Sequence, residues 1–182
     1  MASYLDQGLP EPVREALAEL QRGAPPMAPE LAAQVVTAEL GAPPEVLFAE
    51  WDPVPIAAAS IGQVHAGTLR NGREVVVKVQ RPGVRETVRD DMEVLTRLAS
   101  IADRRTEAGR QFGFGQLLAQ FRRSVAGELD YRREAKNLVT FGELTAEYDR
   151  LVVPQPVMEY TTSRLRTMDR IEGRKITDIG RL

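Results

Sequence analysis

One lysine stands alone in a run of valines. Lys78 lies in residues 75–80 (VVVKVQ), a cation among β-branched side chains that favour a strand. Strand alternation puts it on one face with Val76 and Gln80. Upstream, Ala57-Ala58-Ala59-Ser60 is a run of small side chains across which backbone N–H groups can approach an anion. Downstream, Glu128, Asp130 and Glu134 crowd one helical stretch. A strand cation, a small-residue loop and a helix carboxylate are the parts that hold and orient nucleotide phosphates. Each part also has a plainer reading. A lysine ending a valine run commonly faces water at a sheet edge. Three alanines carry no chemistry as such, and alanine disfavours the positive φ that glycine adopts freely. It is the combination that argues for a phosphate site.

The elements that must position these groups follow from patterning. Asn71-Gly72, between apolar runs 64–69 and 75–79, is a hairpin signal, and a type I′ turn would need positive φ at both residues. Val84, Val88, Met92, Leu95, Leu98 and Ala102 predict a helix after Arg81-Pro82-Gly83. A longer helix is predicted over 114–138, with Phe114, Leu117, Phe121, Val125, Glu128, Tyr131, Ala135 and Leu138 on one stripe. On that helix Asp130 and Glu134 are like charges at i, i+4, costing a few tenths of a kcal/mol. Glu128 falls on the apolar stripe, so it either reaches solvent at the stripe edge or meets a cationic partner. Residues 157–160 and 165–168 read as two short strands joined by Thr161-Thr162-Ser163. Two shorter helices are predicted ahead of the hairpin, over 11–22 and 31–40, separated by Gly- and Pro-rich chain. Helices segregated from hairpin-linked strands predict an α+β fold with a small antiparallel sheet. Residues 1–50 form a helical extension and 51–182 the main unit.

Composition narrows the function classes. There are 182 residues, none of them cysteine, which removes disulfides, thiolate catalysis and cysteine metal sites. The single histidine, His65, has no second ligand on its strand face, so no metal is assigned to it. A net charge of −2 gives no bulk attraction to nucleic acid. The first residues lack the basic and apolar regions of a signal peptide, and no run nears the ~18 apolar residues of a membrane span. The expectation is a cytoplasmic location.

Four stretches together resemble the UbiB/AarF family of atypical kinase-like proteins. They are PIAAASIGQVHAG (55–67), VVVKVQRPGV (75–84), ELDYRREAKN (128–137) and LRTMDRIEG (165–173). The resemblance implies a protein-kinase-like N-lobe, a small antiparallel sheet with two long helices. It implies that Ala57, Ala58, Ala59 and Ser60 replace a kinase glycine-rich loop, that Lys78 binds nucleotide and that Glu134 pairs with it. Glu128 and Asp130 match the family's Glu-x-Asp element, which packs against an N-terminal extension over the active site. Met168 resembles a gatekeeper, and Asp169 to Ile171 a hinge whose backbone binds adenine.

The implied ligand is ATP, with Mg2+ only in a full-length protein, and the implied function is linked to isoprenoid-quinone biosynthesis. Family members associate with membranes peripherally, although no span is expected here. The family also carries a Lys-x-Gly-Gln element upstream and a C-lobe after Gly173, with a catalytic Asp and Asn and a metal-binding Asp. Residues 174–182 match none of these. The expectation is an ATP-binding N-lobe that is inactive alone and partnered by a C-lobe or another protein. The alternative is a non-catalytic N-lobe remnant acting as a binding or scaffold module.

Overall fold

A computed structural model describes residues 25–107, 111 and 113–173. The helix expected over 11–22 and the tail 174–182 lie outside the described residues. Helix α1 (Pro29–Leu40) and a single turn, α2 (Pro44–Leu47), lead into strand β1 (Phe48–Trp51). Strands β2 (Ala57–Ala58), β3 (Gly62–Leu69) and β4 (Glu74–Gln80) follow. Next come α3 (Val84–Arg105), α4 (Phe114–Glu128) and α5 (Tyr131–Leu144), and the last strand is β5 (Leu165–Asp169). The sheet is antiparallel in the order β1-β3-β4-β5, with β2 also paired to β3. This is the α+β arrangement expected of a kinase-like N-lobe. β1 runs across residue 50, and α1 contributes to the same core as the sheet.

The two faces of β4 are chemically opposite. Val75, Val77 and Val79 are fully buried against Phe48, Leu69 and Leu165, and Ala32 and Val36 of α1 complete that core. Leu31 stays exposed; the small Ala32 faces the sheet instead and lets the helix approach closely. A register slip of one residue would expose three valines and bury Lys78, at roughly 5–9 kcal/mol for the valines alone. The valines therefore decide which way Lys78 points.

The β3–β4 turn departs from type I′. Gly72 alone has positive φ, at 83°, and Asn71 does not. Gly72 N–H donates to Leu69 O at 2.9 Å, and Leu69 N–H to Arg73 O at 2.9 Å. A three-residue loop closed by a left-handed glycine gives the strands their twist without asking Asn71 for positive φ.

The helix expected over 114–138 is two helices. α4 stops at Glu128, and Asp130 is the extended N-cap of α5, accepting from Arg132 N–H at 3.1 Å. Asp130 is thus a cap, where a carboxylate is favourable, rather than a like-charge neighbour of Glu134 within one helix. α3 and α4 form a helical hairpin without a fully buried residue, and their stripes line a shared open groove of Leu95, Leu98, Ala102, Phe114, Leu117 and Phe121.

The strand expected over 157–160 is a 3-10 turn, Met158–Tyr160. Only a bridge between Pro156 and Met168 pairs this segment with β5, made by Val157 N–H to Thr167 O at 2.8 Å and Asp169 N–H to Gln155 O at 3.0 Å, before the chain turns away at Met158. Among the described residues no helix is long and apolar enough to cross a membrane.

A buried polar chain ties the N-terminal segment to the sheet. Gln63 accepts from Met27 N–H at 2.7 Å, and its amide meets His65 Nε2 at 2.8 Å. His65 Nδ1 lies 2.9 Å from Asp52 O, and its ring stacks on Trp51 at 4.8 Å. A carbonyl only accepts, so Nδ1 carries the proton and Nε2 accepts from Gln63. Every group is satisfied only while His65 is neutral. Burial pushes its pKa below the usual 6.5, against the Asp52 carbonyl that favours the charged form.

Two expectations follow. Below pH 6.5 the unfolded chain takes up a proton that folded His65 resists, so stability should fall with falling pH, by at most about 1.4 kcal/mol per pH unit. Urea midpoints at pH 7.5, 6.5 and 5.5 read this, since no other histidine is present; a flat profile would show that His65 protonates freely. At Gly62 a Cβ would sit 2.6 Å from Val79 O and 2.9 Å from the Tyr131 hydroxyl. Gly62→Ala should therefore cost about 1–3 kcal/mol in the same assay.

Candidate functional site

The face of β4 opposite the valines carries the candidate chemistry. Register sets Ala57, Val64, Lys78 and Arg166 in one row across β2, β3, β4 and β5. The neighbouring row is Ala66, Val76 and Met168. α5 lies over this face, and its position is set at the junction with α4. Arg85 donates to Leu129 O at 2.7 Å, to Ser163 O at 2.6 Å and to Gln80 Oε1 at 2.8 Å. The Gln80 amide also donates to Leu129 O, and Tyr131 N–H donates to Ser163 O at 3.1 Å. These bonds occupy the last carbonyl after α4 and pin the first residue of α5 to the turn before β5.

One turn into α5, Glu134 meets Lys78. The Nζ lies 3.2 Å and 3.3 Å from the two carboxylate oxygens. Arg166 donates to the same carboxylate. All three side chains are largely shielded, at 21%, 16% and 15% exposure for Lys78, Glu134 and Arg166. At that burial, removing one partner strands a charge and is expensive, unlike the loss of a surface pair. Tyr131, three residues before Glu134, places its ring 4.3 Å from Nζ. Burial first, then the neighbouring Glu134 charge, pushes its hydroxyl up to about 12, so the ring stays a neutral floor under the lysine.

Lys78, Glu134 and Arg166 open onto a cleft of about 530 Å³, walled further by Glu128, Asn137, Leu138 and Phe141. Glu128 is the exposed last residue of α4 at this cleft and has no ion-pair partner among the described residues. Its place on an apolar stripe disappears with the helix break. Asp130, two residues on, does not line the cleft and serves as the α5 cap.

The small-residue loop is partly strand. Ala57 and Ala58 pair with Val64 and Gln63, and Ala59 N–H donates to Gly62 O at 2.8 Å. Ser60 is exposed at the tip, and Arg81 holds Ala59 O at 3.0 Å. No residue of this loop needs positive φ, so alanine is no handicap, but the Ala59 N–H is already used within the hairpin. Met168 lies on the Lys78 face, half-buried. The Asp169 carboxylate accepts from Arg73 at 2.7 Å, which holds it below the usual carboxylate range, and from Gln155 N–H at 3.0 Å. Ile171 is about half exposed beyond the strand.

The structure thus brings Lys78, Glu134 and Glu128 to one cleft, with Ala57 in the row of Lys78 and Met168 in the row beside it. It turns Asp130 and the Asp169 side chain to structural bonds. Sequence reading missed Arg166 and Arg85. For Arg166 the signal was present: alternation between Leu165 and Thr167, both buried, puts it on the face of Met168. Arg85 sits in a helix whose contacts cross 44 and 78 residues of sequence, which no local pattern reveals.

Comparison with known proteins agrees with this geometry. Residues 19–182 match the ABC1 atypical kinase-like domain. The chain is 35% identical over 171 residues to a probable protein kinase UbiB of Marinobacter nauticus, covering 94% of this chain and 31% of that protein. It is 36% identical to the probable protein kinase UbiB of Pseudomonas paraeruginosa, covering 94% of this chain and 32% of that one. The chain spans about a third of the length of these relatives. A solved structure of Rv3197 from Mycobacterium tuberculosis, in complex with erythromycin, superposes with a TM-score of 0.72 at 30% identity, covering 98% of this chain and 44% of that one. With a family match across nine-tenths of its length and a kinase-like sheet and helix around Lys78 and Glu134, the chain belongs to the ABC1 atypical kinase-like domain family.

Proposed function

We propose that this chain is the ATP-facing N-lobe of a UbiB-type atypical kinase or ATPase, linked to isoprenoid-quinone biosynthesis. The observation that carries this reading is the Lys78–Glu134 pair at 3.2 Å, facing an open cleft. The donor set fits a nucleoside triphosphate. Two cations, Lys78 and Arg166, share one carboxylate, so this cluster of three carries one net positive charge toward phosphates, with the Glu128 carboxylate facing it across the cleft. The half-buried Val76 and Met168 adjoin them as an apolar strip that an adenine ring could cover. In this reading Lys78 contacts the phosphates, Glu134 orients Lys78, and Ala57 to Ser60 form the overlying hairpin. Glu128 stands at the cleft beside them, Met168 is the gatekeeper, and the backbone of Asp169 to Ile171 meets adenine. Bound ATP would supply the γ-phosphoryl group for hydrolysis or transfer, with Mg2+ held by a C-lobe. Phosphoryl transfer needs that metal and a group to orient the acceptor. This chain is therefore proposed to bind ATP weakly and to turn over none alone.

A second reading, a non-catalytic binding module, draws on a different observation. The α3–α4 hairpin leaves Leu98, Leu117 and Phe121 exposed along one groove.

Calorimetric titration with ATP tests the first reading. Lys78→Ala should weaken binding about 10- to 100-fold, the effect of losing a charge-assisted contact. Equal affinity in the variant would remove Lys78 from the site, and no binding by the parent chain would favour the second reading. Phosphate release should stay at the blank level; turnover that Lys78→Ala abolishes would show that the chain supplies its own catalytic groups.

A further inference from the structure

Glu134 has more cation around it than one ion pair requires. Lys78 and Arg166 are register partners on adjacent antiparallel strands and point from the same face. Two such cations repel unless an anion lies between them, and Glu134 reaches down from α5 to fill that place. The three groups carry one negative and two positive charges. The grip on the two cations is unequal in kind. Lys78 straddles both carboxylate oxygens at 3.2–3.3 Å, the long end of the hydrogen-bond range, on a flexible four-carbon stem. Arg166 is a planar group held on Oε2, with its Nε buried and without a hydrogen-bond partner among the described residues. A guanidinium accepts such a placement only where a strong partner anchors it.

We propose that Arg166 is a positioning residue. It keeps the Glu134 carboxylate turned toward the sheet and takes up part of its charge, so that Lys78, still oriented by Glu134, keeps hydrogen-bonding capacity for an incoming polyphosphate. Without Arg166, the whole carboxylate would fall to Lys78 in a shielded site and hold the lysine back. The availability of Lys78 to a ligand rests on the nucleotide reading above. The sharing of Glu134 does not.

The test has a ligand-free arm and a ligand arm. The chain contains three lysines, Lys78, Lys136 and Lys175, and Lys136 is exposed on α5. Limited acetylation with acetic anhydride, read by mass spectrometry, gives the reactivity of Lys78 relative to Lys136. Arg166→Leu should lower that ratio about fivefold, because the whole carboxylate passes to Lys78. Arg166→Lys should restore most of it, and Glu134→Gln should raise it. An unchanged ratio in Arg166→Leu, with a native circular dichroism spectrum, overturns the sharing of Glu134. Should Arg166→Leu fail to fold, Arg166→Lys and Glu134→Gln decide: identical ratios in both and in the parent overturn it equally.

In the ligand arm, inorganic tripolyphosphate is titrated into the parent, Lys78→Ala, Arg166→Leu and the double variant. Arg166→Leu should weaken binding about fivefold or more, and Lys78→Ala should then add less than it costs in the parent. Strictly additive losses overturn the availability of Lys78 to the ligand through Arg166. If neither tripolyphosphate nor ATP binds any variant, the nucleotide reading falls and takes that availability with it, while the acetylation ratio still decides what holds Glu134.

Discussion

The site depends on a short stretch of backbone, residues 129 to 131, that is held from three sides. Arg85 from α3, Gln80 from β4 and Ser163 from the turn before β5 converge on the Leu129 carbonyl and the Tyr131 N–H. A helix passing straight through would leave those carbonyls satisfied within itself and would need none of these partners. The clamp makes the break favourable, and Asp130 completes it by capping the second helix. Where α5 begins fixes where Glu134 falls, and Glu134 has to reach across to a lysine 56 residues earlier in the chain. A shift of one residue in that start would rotate the carboxylate by about 100°, off the sheet altogether.

β4 supplies the other half of the constraint. Its valines lie in a core shared with α1, and that burial anchors the strand far more strongly than any contact Lys78 makes. The lysine is thus presented by a rigid element. Beneath it, Tyr131 gives a neutral ring and Gly62 gives the room for that ring's hydroxyl. Close packing between β3 and α5 at this point brings the helix near enough for the ion pair, and a side chain at position 62 would hold it away. The geometry of the charged groups rests on apolar burial and one missing Cβ.

The end of β5 shows how similar residues divide between roles. Asp169 ends β5, and its carboxylate is taken up by Arg73 and by the Gln155 N–H. This staples the chain after α5 to the sheet edge, and the Asp169 and Arg170 N–H groups are taken up likewise, by Gln155 O and Glu74 O. Asp130 is similar: a carboxylate within reach of the chemistry by sequence, and a cap by structure.

Much of this was legible in the order of residues. The valine alternation announces β4 and the face of Lys78, because strand periodicity is a local property. Asn71-Gly72 announces the hairpin, although the exact turn depends on how the strands twist. A strand lysine with carboxylates on a later helix suggests a pair, but spacing does not choose among Glu128, Asp130 and Glu134, and Glu134 was singled out only by the resemblance of residues 128–137 to the family. The break between α4 and α5 was hidden, since the apolar stripe of 114–138 runs through it and the partners that cause it lie far away in sequence. Arg166 joined the pair only once β5 was set beside β4. Local pattern thus determined the elements and the face that carries each charged group. The tertiary structure decided which charges meet, because a carboxylate's partner is chosen by distances that only the packed chain defines.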